Sequence, residues 1–354
     1  MTKKTLSAVQ AIEKAQEIAF APFVFQATNA LRELGIFKNI FSKRKKGGAS
    51  ITEIAKDLNI TEYGIGVLLE IAASSDIVLI NDNDKFELTK TGYFLYASET
   101  VNVNFNFTQE VCYKGLFHLT ESIKTGKPEG LKELGNWNTI YEGLSIMPRN
   151  IADTWFKFDH HYSDAAFDEA LTTVLRNKPK TIYDVGGNTG KFAIAACNTS
   201  KDVQVKMFDL PGQLNVALKN VKNSGFEDRV SGFEIDWLAK EQVAIPKGAD
   251  SIWMSQFLDC FSEEEILSIL TRLTASMDEN TELLIMETFT DRQAFDNAKF
   301  ALEATSLYFT VLANGNSKMY PAKVFLKLID KAGLKLKEDL QIGEYHTILV
   351  CKKK

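Results

Sequence analysis

The stretch with the clearest chemical signal is Asp184-Val185-Gly186-Gly187-Asn188-Thr189-Gly190, which follows the apolar run Thr181-Ile182-Tyr183. Glycines at the end of a strand let the backbone turn tightly and approach a ligand with no Cβ in the way. The spacing excludes two phosphate-binding turns. A dinucleotide turn needs Gly-x-Gly-x-x-Gly; counted from Gly186, its second and third glycine positions hold Asn188 and Lys191. A P-loop needs Gly-Lys-Ser/Thr, and here Gly190-Lys191 is followed by Phe192.

Two further acids stand at corresponding places. Asp209 ends the apolar run Val203–Asp209, where a carboxylate can accept from both hydroxyls of a ribose. Asp236-Trp237 follows a third apolar run, where the acid can accept from an adenine amine and the indole can stack on the base. Each has a bland reading alone, Asp209 as a turn residue and Trp237 as core. Together, after three successive strands, they point to a nucleoside site.

The elements that must position these residues begin at Pro179. Apolar runs at 181–185, 203–209, 229–235, 249–257 and 281–289 alternate with helical stretches, and a hairpin, 334–342 with 345–353, closes the chain. Alternating strands and helices predict right-handed crossovers and a parallel sheet covered on both faces, with an antiparallel strand added by the hairpin. Ligands of such sheets sit beyond the carboxyl ends of the strands. Ahead of this lies a different pattern. A helix over 6–34, which Pro22 is expected to kink or divide, ends at Gly35. Two shorter helices and a hairpin at 77–89 then read as a winged helix. The basic run Ser42–Ser50 reads as a solvated loop. Residues 101–175 are helical and rich in aromatics, from Phe105 and Phe117 to Trp155 and Phe167; most are expected in the core and some on an apolar pocket. The expected division is 1–100, 101–175 and 176–354.

Composition narrows the function. The 354 residues carry a formal net charge of −5, which argues against general affinity for nucleic acid or anionic membrane. The second helix of the winged helix carries Glu62 and Glu70 and no Lys or Arg, the wrong charge for a major groove. No apolar run is long enough to span a membrane. Lys3 and Lys4 open the chain, but glutamates interrupt the apolar stretch after them, so no signal peptide is expected. Cys112, Cys197, Cys260 and Cys351 are scattered, with no Cys/His cluster, so no structural metal is expected and reduced thiols in the cytoplasm are the simple reading.

With these motifs in place, the chain resembles the class I S-adenosylmethionine-dependent methyltransferases. More narrowly it resembles the O-methyltransferases with an N-terminal winged-helix dimerisation domain, the caffeate- and hydroxyindole-type enzymes and their bacterial relatives. Asp184–Ala193 is similar to the family's D-V-G-G-G-T-G motif, with Asn188 at the third glycine, and Phe208–Gly212 to its acidic ribose motif. The N-terminal stretches Ala30–Ile40, Ile51–Ile60 and Phe86–Leu95 also resemble the family, as does Thr125–Gly130. The resemblance implies a Rossmann-like α/β sheet and S-adenosyl-L-methionine as cofactor. Its site would be formed by Asp184, Gly186, Gly187, Gly190, Asp209, Leu210, Asp236, Trp237 and Ser255. It also implies a homodimer, for which the amphipathic helix 6–34 could supply apolar surface.

Two departures concern catalysis. The family's Leu-His-Asp-Trp, whose histidine deprotonates the acceptor hydroxyl, corresponds here to Leu258-Asp259-Cys260-Phe261, so the histidine position holds Asp259. The family's later supporting glutamate is absent near Lys318–Pro321, and Glu287 stands close to where the family places another acid. An unperturbed aspartate is a poor base for a phenol, although burial can raise it. Asp259 is therefore one candidate base, with a helix-terminal acid as its plain alternative. His160 is the other, ahead of His161; His118 and His346 read as structural. The expected activity is O-methylation of a small aromatic or polyene-like hydroxyl compound. The alternatives are a relative with the cofactor but changed chemistry (C- or N-methylation, or no methylation) and a ligand-sensing winged-helix regulator.

Overall fold

The computed structural model describes residues 5–144 and 146–354; Lys3, Lys4 and Ser145 fall outside them. The chain divides into two compact units, residues 1–105 and 106–354.

In the first unit a single helix runs over Ala8–Glu33, opened by a capping box in which Ser7 and Gln10 exchange hydrogen bonds. Pro22 lies inside this helix without dividing it; a proline removes one intrahelical bond, and the remaining turns keep the helix whole. Gly35, at φ +76°, takes the left-handed conformation that lets the chain turn into the next helix, Ile36–Ser42. Helices Ile51–Leu58 and Glu62–Ser74 follow, capped by Ser50 and Thr61. The antiparallel hairpin of β1 (Val78–Ile80) and β2 (Phe86–Leu88) completes the winged-helix order. Leu31, Ile36, Phe37, Ile54, Ile65 and Leu69 form its core.

The second unit is built on a seven-stranded sheet. Its strands are β3 (Thr181–Val185), β4 (Gln204–Asp209), β5 (Val230–Glu234), β6 (Ser251–Ser255), β7 (Glu282–Glu287), β8 (Leu334–Ile342) and β9 (His346–Lys353). Their order is β5-β4-β3-β6-β7-β9-β8, parallel from β5 to β7, with β9 and β8 antiparallel. Successive residues serve opposite faces, as the two-residue period of a strand requires. In β6, Ile252 and Met254 pack under the helices Glu263–Ser276 and Ala322–Lys331. Trp253 between them packs under the C-terminal half of the helix Arg149–Val174 and under Lys191–Thr199. The chain order reverses between β3 and β6. Crossovers on opposite faces leave a crevice at such a point, beyond the carboxyl ends of the strands.

The aromatic segment folds as short helices and the long helix Arg149–Val174. Phe107, Trp155, Tyr308, Phe309 and Leu312 form a separate apolar cluster, with Tyr141, Phe156, Phe158 and Cys260 at its margin. Phe107 stacks on Phe158 at 3.9 Å between ring centroids, and the Trp155 indole donates to the Tyr308 hydroxyl at 2.7 Å in the interior. Phe117 is an exception to the expected core, at 82% exposure. No helix among the described residues is long and apolar enough to cross a membrane, and they contain no group of acids, cysteines or histidines that could hold a metal.

Candidate active site

The turn after β3 is shaped by what its glycines touch. Gly186 has φ +76°, and a Cβ there would come within 2.3 Å of the Phe257 ring. At Gly187 a Cβ would stand 2.9 Å from Asp184 Oδ2. Gly190, at φ +80°, is the N-cap of Lys191–Thr199. Two of these three positions thus need the left-handed region and two have no room for a side chain.

Polar atoms converge on this turn. Asp184 is 3% exposed and its Oδ2 has no hydrogen-bond partner. Burial, with Asp209 nearby, raises its carboxyl to about 8. Asp209 Oδ2 accepts from the Asn188 amide at 2.9 Å and Oδ1 from the Leu210 amide at 2.8 Å. Burial raises Asp209 to about 6, against the lowering effect of those two amides. Leu210 caps the helix Pro211–Asn223. Ser255, at the end of β6, has a buried hydroxyl oxygen without a partner, and so does the indole nitrogen of Trp237. Trp237 is 6% exposed and lies edge-to-face with Phe257, with the Arg272 guanidinium 4.9 Å from its ring. Asp236 is exposed, and its Oδ1 accepts from the Leu238 amide. The expected cofactor residues therefore lie on or directly after β3, β4, β5 and β6, all at the carboxyl ends. A buried carboxylate oxygen, hydroxyl and indole N–H left unpartnered are the groups a polar ligand would satisfy.

A second group sits where β6 and β7 end. Asp259 is 6% exposed in the turn Leu258–Cys260, and its Oδ1 is 3.5 Å from the Cys260 sulfur. Burial raises Asp259 to about 7, with Asp159 adding to the rise. Glu287, the last residue of β7, accepts from the amides of Phe257 at 3.2 Å and Leu258 at 3.0 Å through Oε1. Its Oε2 is buried without a partner, and burial beside Asp259 holds this carboxyl well above the usual range. The Tyr141 hydroxyl is likewise buried and unpartnered. Buried acids with raised titrations are groups chemically suited to proton transfer.

His160 is placed elsewhere. Its Nε2 is 3.5 Å from the Thr189 hydroxyl and its Nδ1 is 3.5 Å from Asp164 Oδ1, so it borders the glycine turn. His161 lies edge-to-face with Tyr162. His118 pairs with Glu133 on the surface, and His346 is buried against Gln256, where burial lowers it to about 4. Sequence reasoning missed Asn188, Asp159, Phe257 and Tyr141 as members of these groups. Asn188 carried a signal, since it interrupts a run of glycines; Asp159, on a helix far away in sequence, carried none.

Two family models match the chain. Residues 13–86 match a Dimerisation2-like domain, and residues 118–335, more than half of the chain, match the O-methyltransferase domain. The chain belongs to the O-methyltransferase family. It is accordingly an enzyme that transfers a methyl group from S-adenosylmethionine to small molecules. Among curated proteins, this methyltransferase is 22% identical over 323 residues to L-tyrosine C(3)-methyltransferase of Streptomyces lavendulae, covering 89% of the chain and 85% of that protein. It is 22% identical over 332 residues to O-methyltransferase 7 of Dictyostelium discoideum, covering 92% and 91%. Among solved structures, the apo form of the S-adenosylmethionine-dependent methyltransferase SibL superposes with a TM-score of 0.71 at 21% identity, covering 95% of this chain and 98% of the other. That likeness is one of fold.

Proposed function

We propose that this methyltransferase methylates the hydroxyl of a small aromatic compound, with Asp259 receiving the hydroxyl proton. The observation that carries this reading is the convergence of two groups on one end of the sheet. The turn Gly186–Gly190 with Asp209 stands beyond β3 and β4, and a buried Asp259 raised to about 7 stands beyond β6, beside an apolar aromatic cluster. Asp184, Gly186, Gly187, Gly190, Asp209, Leu210, Asp236, Trp237 and Ser255 are the residues assigned to the cofactor. They fit its nucleoside and amino-acid parts because the unpartnered Asp184, Ser255 and Trp237 atoms match its hydroxyls, amines and ring nitrogens.

When bound, S-adenosylmethionine supplies a methyl group on an already electrophilic sulfonium. The protein's part is to hold the acceptor and to manage one proton. The aromatic cluster of Phe107, Trp155 and Tyr308, with Cys260 at its margin, gives the neighbourhood of Asp259 the apolar character that suits an aromatic acceptor. Asp259, near neutral in its titration, can take the hydroxyl proton at physiological pH, which an ordinary carboxylate does poorly. Glu287, fixed to the Phe257 and Leu258 amides, holds the turn that carries Asp259. His160, bordering the glycine turn, belongs with the cofactor side of the site.

C-methylation is the second reading. Asp259 stands where the family places its histidine, and the Streptomyces lavendulae relative is named for methylating a ring carbon. For the first unit, we propose homodimerisation rather than nucleic-acid binding. Val9, Ile12, Phe20 and Phe23 are each more than half exposed and fall on one side of a single helix, which leaves an apolar stripe for a second copy to cover. Incubation of the protein with labelled S-adenosylmethionine and a panel of phenols, followed by mass and NMR analysis of the product, tests the reading. An O-methyl resonance is the expected outcome, a ring C-methyl selects the second reading, and no transfer to any phenol overturns both.

A further inference from the structure

The family pattern has a glycine where this chain has Asn188, and the side chain is put to use. Asn188 has φ +47°, a left-handed conformation that asparagine tolerates better than most residues. Its backbone N–H donates to Asp209 Oδ2 at 2.9 Å, and its side-chain Nδ2 donates to Asp159 Oδ2 at 3.1 Å. One residue thus joins a carboxylate at the end of β4 to a carboxylate on the helix Arg149–Val174. Two neighbours reinforce the link. Thr189 Oγ1 lies 3.5 Å from His160 Nε2, and Lys191 Nζ lies 2.5 Å from Asp164 Oδ2. Residues 160 and 164 fall on one face of the helix by the spacing of a 3.6-residue turn, and Asp159 stands beside them, so all three reach the glycine turn. The same helix carries Trp155 and Phe158 into the aromatic cluster.

We infer that Asn188 is a positioning residue: through Asp159 it sets the register of the Arg149–Val174 helix, and so of the acceptor wall, on the turn that seats the cofactor. This rests on the cofactor reading above. Filling the turn and engaging Asp209 then steadies the helix. Asn188→Gly keeps the backbone N–H and the backbone conformation while removing the bond to Asp159.

Hydrogen exchange with and without S-adenosylhomocysteine tests this in the full chain, together with calorimetry of the same compound. In the parent, binding slows exchange in residues 149–174 about threefold or more. In Asn188→Gly and in Asp159→Ala, S-adenosylhomocysteine binds within about threefold of the parent, but slowing is confined to the turn and the strand ends. Asp159→Asn, which keeps an acceptor oxygen for Asn188, restores slowing in the helix. Unchanged helix protection in Asn188→Gly and Asp159→Ala overturns the inference. So does loss of binding in both, which would make these residues simple cofactor ligands. Failure of the parent itself to bind removes the cofactor reading instead, and the inference falls with it.

Discussion

The Asn188 amide points at Asp209 Oδ2 from 2.9 Å, which fixes the glycine turn after one strand to the acid that ends its neighbour. Because Asp209 is already held by the Asn188 and Leu210 amides, a ribose would meet a carboxylate of set orientation. Hydrogen bonds to a charged group contribute about 1.5–3 kcal/mol each. Loss of even one such bond in Asp209→Ala is therefore expected to weaken S-adenosylhomocysteine binding by about tenfold to a hundredfold or more, read by calorimetry. An unchanged affinity would remove Asp209 from the cofactor site.

Proton transfer by Asp259 has a pH signature. Its ionised form is the base and burial places the titration at about 7. For any phenol that turns over, kcat/KM is expected to rise about tenfold per pH unit below 7 and to level above it. Asp259→Asn should remove that rise and lower kcat by about 10²–10⁴-fold, while S-adenosylhomocysteine affinity stays near the parent value. Retention of the rise in Asp259→Asn would assign the proton to another group.

Stability carries a related signature. Asp209, Asp259 and Asp184 are raised to about 6, 7 and 8. Above about pH 4 the unfolded chain has released these protons while the folded chain still holds them. The folded state therefore binds more protons from about pH 4 upward, and the stability these groups contribute at low pH is lost as pH rises from about 4, the loss being complete for each group above about 6, 7 and 8 in turn. The melting temperature should fall as pH rises from about 4 to about 8, most steeply below about pH 6, where all three groups hold protons that the unfolded chain has released. Asp184→Asn should flatten the upper part of the fall. A melting temperature that rises from pH 6 to pH 8 would count against these protonation states.

The exposed stripe on the helix Ala8–Glu33 predicts association. Light scattering at micromolar concentration should give the mass of a dimer, and the pair Ile12→Glu with Phe23→Glu should shift it toward the monomer with the fold kept, as both side chains are more than 60% exposed. A monomeric parent would leave the stripe without its partner.

How much of this was legible in the sequence follows from which interactions are local. The motif Asp184–Gly190 could be read directly, because strand, glycine turn and helix are contiguous and their types depend on neighbours. The caps at Ser50, Thr61 and Ser262 each close within one helical turn and are equally local contacts. The glycine spacing by itself excluded phosphate turns. What the sequence left open was which of Asp259 and His160 faces the acceptor, since that depends on how a helix 29 positions upstream docks on the turn at Thr189.

The order of apolar runs and the turn residues thus determined the parallel sheet and its closing hairpin, and the acids after successive strands marked the end proposed for the nucleoside, because a parallel strand and its crossover each bury a patterned face; the point where the strand order reverses came from the fold. Only the tertiary structure decided the pairing across elements. It set Asn188 between Asp209 and Asp159, turned His160 to the glycine turn, and buried Asp259 beside Glu287. Those contacts join residues from separate strands and helices. They come from packing in three dimensions, where burial also sets which carboxyl keeps its proton.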